Sequence, residues 1–368
     1  MNACFHLQGA PQGAANVGPD DSHARIFSRA RFFRVALSGI ATLALLAAGS
    51  VGRAADLRIG VIGIDSSHSG KFAEAFNGKE ESKRIPGARL TVGFKGGSPD
   101  MERSRSRVEQ FSAELRDKFG VKLVDSLDDV VANADAIMIL SVDGRTHLPQ
   151  ARAVFGKGKP VFIDKPFGGS LADSIALVKL ARETKTRVLS CSNYRFAAGL
   201  VKMKAAVPGR LRLAEAYGPA TIEPLMPDFY FYVVHVTESL YTLLGSGCES
   251  VTRSTTKDCE VATGIWNDGR IGVVYGLKGS RVGNGASIFG DKSVASETLE
   301  TNFPALATSL LAFFRGAEEP VRLEETLEIM AFMEAADESK RRGGAPVKLA
   351  DVMARAGGEM SMLRPAQR

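Results

Sequence analysis

An α/β fold is predicted for this chain of 368 residues: a doubly wound parallel sheet, then an α+β domain built on an open antiparallel sheet. Three observations predict it. Strand-like and helix-like segments alternate from Leu57 to Ser192, the first strand is an almost uninterrupted apolar run, and after Ser192 short strand-like stretches take over. At 45% hydrophobic and 24% charged, the composition is that of a globular chain, which excludes disordered, collagen-like and coiled-coil architectures. No period of repetition points to a solenoid or propeller.

Residues 1–54 read as an export signal. The apolar run from Val35 to Gly49 is 15 residues long, follows Arg25, Arg29, Arg31 and Arg34, and precedes small residues at Gly52 and Ala54. It falls short of the roughly 20 residues needed to span a bilayer, so cleavage after Ala54 is expected rather than a permanent anchor. The stretch SRARFFR, Ser28 to Arg34, is similar to a twin-arginine export signal, with Ala30 between the arginines. Export of the mature chain to the periplasm or the medium is the expectation. Removing this segment takes away five Arg and two Asp and leaves 42 basic and 39 acidic residues, so the net charge of +6 falls to +3. No basic block with interleaved aromatics remains, and nucleic acid is a poor candidate partner.

In the mature chain, LRIGVIG (57–63) is the first strand, with both faces expected to be covered. ARLTVGFK is the second and ends at Lys95. Ser98 is expected to cap a helix with Pro99 at its first position, Val108, Phe111 and Leu115 as its buried stripe and Gly120 as its stop. VKLVD (121–125) is the third strand, and Ser126 with Asp129 forms a capping-box pattern. ADAIMILS (134–141) and PVFI (160–163) are further strands. Ser170 and Asp173 open a helix with Ile175, Val178 and Ala181 on one face, and RVLSCS (187–192) closes the series. Ligands of such sheets sit at the carboxyl ends of the strands, so the loops after Gly63, Lys95, Ser141, Ile163 and Ser192 should face the site.

Beyond residue 195 a hairpin is expected in GIWNDGRIGVVYG, with its turn at Asn267–Gly269. Two helices are expected to finish the chain, one from near Pro304 and one carrying Leu323, Leu327, Met330 and Ala331. The domains are read as 55–195 and 196–368. Four cysteines without a CxxC pair exclude a zinc ribbon, and Cys248 and Cys259 are read as free thiols before a disulfide.

The order LRIGVIG, DSLDDVVANADAIMILSV, then HLPQARAVFGKGKPVFIDKPFGGSLADSIALVKLARETKTRVLSCSNYRF resembles the glucose-fructose oxidoreductase, inositol dehydrogenase and MocA family, from about Leu57 to the last helix. Asp164-Lys165-Pro166 is similar to the family's Glu-Lys-Pro, followed at the family's distance by Asn193-Tyr194-Arg195-Phe196. HVTESLYTLLG, from His235, resembles its catalytic-histidine helix, with Glu238 where Asp is usual. The resemblance implies a Rossmann-like first domain, NAD or NADP as cofactor, oxidation at a secondary hydroxyl of a sugar, polyol or glycoside, and a homo-oligomer. Lys165 and His235 would be catalytic: an ammonium stabilises the developing alkoxide, and an imidazole takes the hydroxyl proton. Gly63, Asp65, Ser66, Ser67, His68, Lys95, Ser98, Ser141, His147, Asp164, Lys165 and Arg195 would line the cofactor.

The sequence departs from the family in three places. Gly63, Asp65 and His68 stand where Gly-x-Gly-x-x-Gly or Ala is usual; Asp65 is read here first as a cap of the following helix, and otherwise as a charge facing the phosphates. The second strand ends in Lys95-Gly96-Gly97-Ser98 rather than an acidic residue, which suits a 2′-phosphate. The family's Asp four residues before the histidine is Phe231, leaving a phenol or Asp228 as local substitutes. A second reading therefore stands beside the first: a non-redox binding protein, or a metal-assisted enzyme in which Asp65, His68 and His235 converge.

Overall fold

The structure is a computed structural model, and it describes residues 55–206, 209–279 and 282–364. Residues 1–54, read above as an export signal, lie outside the described residues.

Six parallel strands form the first sheet: β1 (Leu57–Ile62), β2 (Ala88–Phe94), β3 (Lys122–Val124), β4 (Ala136–Ile139), β5 (Val161–Ile163) and β6 (Val188–Leu189). Their order is β3-β2-β1-β4-β5-β6, so the winding reverses between β1 and β4. Apolar side chains on both faces make β1, β4 and β5 central. Ile59, Val61, Ile137, Met138 and Phe162 are fully buried. Helices α1 (Ser67–Asn77) and, after a short α2 (Glu102–Arg105), α3 (Val108–Phe119) cover one face through Phe72, Phe76, Leu115 and Phe119. Each such burial contributes about 1.5–3 kcal/mol. Helices α4 (Leu127–Asn133), α5 (His147–Val154) and α6 (Leu171–Glu183) cover the other through Val130, Val154, Ile175 and Val178.

The capping signals read correctly at two helices. Ser126 accepts from the Asp129 amide at α4, and Ser170 from the Asp173 amide at α6. Gly120 stops α3 in the left-handed region, φ 70°. Ser98 is a correction. It caps nothing; its amide donates to Ser104 Oγ at 2.7 Å, and the helix expected from Pro99 is divided into α2 and α3. The wrap that this division makes brings Ser104 inward, where its hydroxyl meets Asp65.

After α7 (Ala198–Ala205), the second sheet has the order β12-β11-β7-β10-β9-β8-β13. Its strands are β7 (Leu211–Pro219), β8 (Cys248–Thr255), β9 (Cys259–Trp266), β10 (Ile271–Leu277), β11 (Asn284–Gly290), β12 (Val294–Leu299) and β13 (Val347–Lys348). The β9–β10 hairpin turns where expected, but β10 runs parallel to β7, so the sheet is mixed rather than wholly antiparallel. Helix α8 (Val233–Leu244), apolar on most sides, lies buried on this sheet beside α10 (Leu323–Arg341).

Helix α9 (Phe303–Phe314) begins where Pro304 predicted but packs against α1. Leu306 and Leu310 share the core of Phe72 and Phe76, and the rings of Phe303 and Phe72 meet edge to face at 5.7 Å. A helix from the second half thus closes the first sheet. A further helix, α11 (Leu349–Arg355), follows α10, so among the described residues three α-helices come last where two were expected. Cys191, Cys248 and Cys259 are free. Among the described residues no helix is long and apolar enough to cross a membrane.

Candidate active site

The strand ends converge on a cleft bounded by the loop after β1, the start of β5's loop and α8. Lys165, at the end of β5, and His235, in the first turn of α8, line it together, with His68, Tyr194 and Tyr232. The cavity is small, about 190 Å³.

Lys165 precedes Pro166 in a cis bond, which turns the chain sharply out of the strand. Among the described residues its ammonium has no hydrogen-bond or ion-pair partner, and burial lowers its pKa, an effect that neighbouring Asp164 opposes. His235 is 5% exposed. Its Nδ1 lies 2.7 Å from Ser192 Oγ, and its ring is held edge to face by Tyr194 and Tyr232. Burial, with the nearby Lys165 and His68, depresses its pKa well below the usual imidazole value. In the tautomer whose Nδ1–H donates to Ser192 Oγ, the lone pair of neutral His235 sits on Nε2.

Asp164 is buried, and its Oδ2 lies 2.6 Å from His68 Nδ1. Burial alone would raise its pKa, but His68 and Lys165 outweigh that and hold it below the carboxylate norm. His68, at the place of a fingerprint glycine, thus bridges the loop after β1 to the loop after β5.

Asp65 departs from both readings of it. Ser66 is the cap of α1, accepting from the His68 amide at 3.2 Å. Asp65 is turned inward and fully buried: Oδ2 accepts from Ser104 Oγ at 2.6 Å, Oδ1 from the Val142 amide at 3.0 Å. It ties the loops after β1, β2 and β4, and burial raises its pKa. It does not meet His68 and His235, and among the described residues no group of three or more His, Cys, Asp or Glu could hold a metal ion. The metal-assisted convergence is therefore corrected. Asp65→Ala should cost about 1–3 kcal/mol through the donors it leaves unpaired, far more than loss of a weak cap. Urea unfolding of both proteins measures it, and a cost of a few tenths would contradict this placement.

Other residues expected at the cofactor make contacts within the chain. His147 is fully buried, with Nε2 2.9 Å from the Ser141 carbonyl and Nδ1 3.3 Å from that of Phe167. The Ser141 hydroxyl exchanges hydrogen bonds with Gln150. Gly63, at φ 83°, lets the ends of β1 and β4 touch, since a Cβ there would come 2.1 Å from Ser141 Oγ. Arg195 is clamped between Glu238 (Nε to Oε1, 2.5 Å) and Glu325 (2.6 Å), and Lys95 is paired with Glu109 at the surface. Asp228 pairs with Arg253 and Lys340, so it does not substitute for the missing acid near His235. Ser67 is exposed at the start of α1, and Ser98 lines an open depression with Gly96, Gly97 and Arg145 at the ends of β2 and β4.

Sequence reading missed Lys71, Arg103 and Arg107, which line the cleft. The run RSRSR, 103–107, with arginines four apart, was the available signal.

Residues 57–191 match the model of an oxidoreductase family described as having an NAD-binding Rossmann fold, GFO_IDH_MocA. Among solved structures, the scyllo-inositol dehydrogenase of Lactobacillus casei with bound NAD(H) and scyllo-inositol superposes with a TM-score of 0.66 at 17% identity, covering 80% of this chain and 99% of its own. An oxidoreductase of Agrobacterium radiobacter in complex with NAD+, L-tartaric acid and magnesium gives 0.65 at 14% identity, covering 81% and 99%. At these identities the likeness is one of fold. No curated protein sequence matches the chain.

Proposed function

We propose that this chain, whose residues 57–191 form a domain of the glucose-fructose oxidoreductase, inositol dehydrogenase and MocA family, is an NAD- or NADP-dependent dehydrogenase of a secondary hydroxyl on a sugar, polyol or glycoside. The observation that carries the reading is the meeting of an unpartnered ammonium, Lys165, and a neutral imidazole, His235, in one cleft at the strand ends.

The residues present fit a dinucleotide. Asp65 keeps its carboxyl buried on Ser104 and Val142, Ser66 and Ser67 line the cleft at the N-terminus of α1, and the depression at Gly96–Ser98 lies at the ends of the strands beside the β1/β4 reversal. Lys95, paired with Glu109 at the surface, would have to leave that exposed pair to meet a 2′-phosphate. The bound nicotinamide would supply the hydride acceptor. The chain's own residues do the rest. Lys165 holds the substrate hydroxyl and stabilises the charge that grows on its oxygen, and His235 Nε2 takes the proton. Ser192 fixes the ring from Nδ1, and Tyr194 and Tyr232 keep it from turning.

A panel of polyols and sugars with NAD or NADP, followed by nicotinamide reduction, tests the reading; no reduction with any of them would sink it. The pH profile is specific. Because burial lowers the pKa of His235, its base form persists below neutrality, so kcat/KM for oxidation should hold across pH 6.5 to 7 and fall only as His235 is protonated at lower pH. An acid limb centred at the ordinary imidazole value of about 6.5 would contradict the assignment.

Export is part of the proposal and rests on the arginine-flanked apolar run. Terminal sequencing of the mature protein should begin near Ala55; retention of Arg29 to Leu46 would defeat it. A homo-oligomer is proposed on the family resemblance alone.

A further inference from the structure

The lining of the cleft is unbalanced in charge. Lys71, Arg103, Arg107 and Lys165 face it, and among the described residues no Asp or Glu does. None of the four side chains has a hydrogen-bond or ion-pair partner among the described residues. Acidic neighbours were at hand but turned away: Glu102 pairs with Arg105, and Glu109 with Lys95. Several arginines elsewhere are matched, as Arg58 is with Asp135, Arg145 with Asp100 and Asp143, and Arg195 with two glutamates. Four like charges gathered without counter-charge form a field that attracts an anion into the cleft.

The position of Arg103 says where the anion would sit. Its guanidinium lies over the ring of Phe231, 5.0 Å from the centroid. Phe231 is in the segment that leads through Tyr232 into α8, whose His235 is the base, so Arg103 stands on the substrate side of the cleft. Stacking on a ring occupies the face of a guanidinium and leaves its edge donors free, the geometry that grips a carboxylate or phosphate with two parallel hydrogen bonds. The lining offers no carboxylate to accept from the hydroxyls of a neutral polyol.

We infer that the substrate carries an anionic group, a carboxylate or a phosphate monoester, beside its reacting hydroxyl, and that Arg103 binds that group with Lys71 and Arg107 supplying the field. The inference rests on the dehydrogenase reading for the site, but it can be tested without turnover.

Calorimetric titrations of the mature protein, with and without NAD, would use D-gluconate and D-glucose 6-phosphate as acidic probes and D-glucose and myo-inositol as neutral ones. At least one acidic probe should bind about tenfold or more tightly than its neutral counterpart, with affinity falling as salt rises. Preference for gluconate assigns a carboxylate, and preference for the phosphate ester assigns a phosphate. Arg103→Gln should erase the preference. Acidic probes that bind no better than neutral ones, or not at all, overturn the inference. So does an Arg103→Gln protein that loses dinucleotide affinity but keeps the preference, since the cation would then serve the cofactor's phosphates. Failure of the dehydrogenase reading looks different: no nicotinamide reduction, whatever the probes do.

Discussion

Lys165→Met should lower kcat by about 10²- to 10⁴-fold while leaving the protein folded. The ammonium has no partner to orphan, and the fold holds its pKa below the unfolded value, so the charged form costs the native state stability at neutral pH. Met fills nearly the same volume without that charge, and the melting temperature should stay level or rise. Steady-state kinetics with the best substrate, beside a thermal melt, separates the two effects. Activity within a few-fold of wild type would show that Lys165 is not at the reacting carbon. A collapse of the melting temperature would show that it holds the fold instead.

The largest loss of stability should come from Arg253→Met. Arg253 is fully buried, donating from Nε to Glu260 at 2.9 Å, from Nη2 to Asp228 at 3.1 Å and from Nη1 to Asp337, with its guanidinium carbon 4.0 Å from the centroid of the Phe229 ring. It joins β8 and β9 to α10 and to the segment that leads into α8. Glu260 keeps Lys278 and Thr255, but Asp337 would remain buried without a cation close at hand. Removing one member of such a buried set costs about 3–5 kcal/mol. Chemical denaturation should show that loss, with residual activity at low temperature in the fraction that folds. A cost under about 1 kcal/mol would mean that the carboxylates find other partners or protons.

The strands of the first sheet were legible because both of their faces are buried, and only apolar runs survive there. Ser126, Ser170 and Gly120 were legible because a cap is a local contract between neighbours in sequence. The parallel pairing of β10 with β7 and the docking of α9 on α1 were not, since each is decided by contacts far apart in the chain. The site divides in the same way. The motif around Lys165 and the helix of His235 could be placed through family resemblance, and both reach the cleft. Residue type did not disclose that Asp65 would bond Ser104 and Val142, that His147 would face two carbonyls, or that Arg195 would be claimed by Glu238 and Glu325. The arginines of α2 and its flank were overlooked because their meeting with Phe231 crosses from one sheet's loops to the other's helix.

Native mass spectrometry of the folded protein, taken from cytoplasm and periplasm and again after incubation with excess NAD and NADP, tests the central claim most directly. A chain that carries a dinucleotide, or takes one up at a stoichiometry of one per protomer, is the predicted result. A folded chain that stays free of both under every condition would contradict the account.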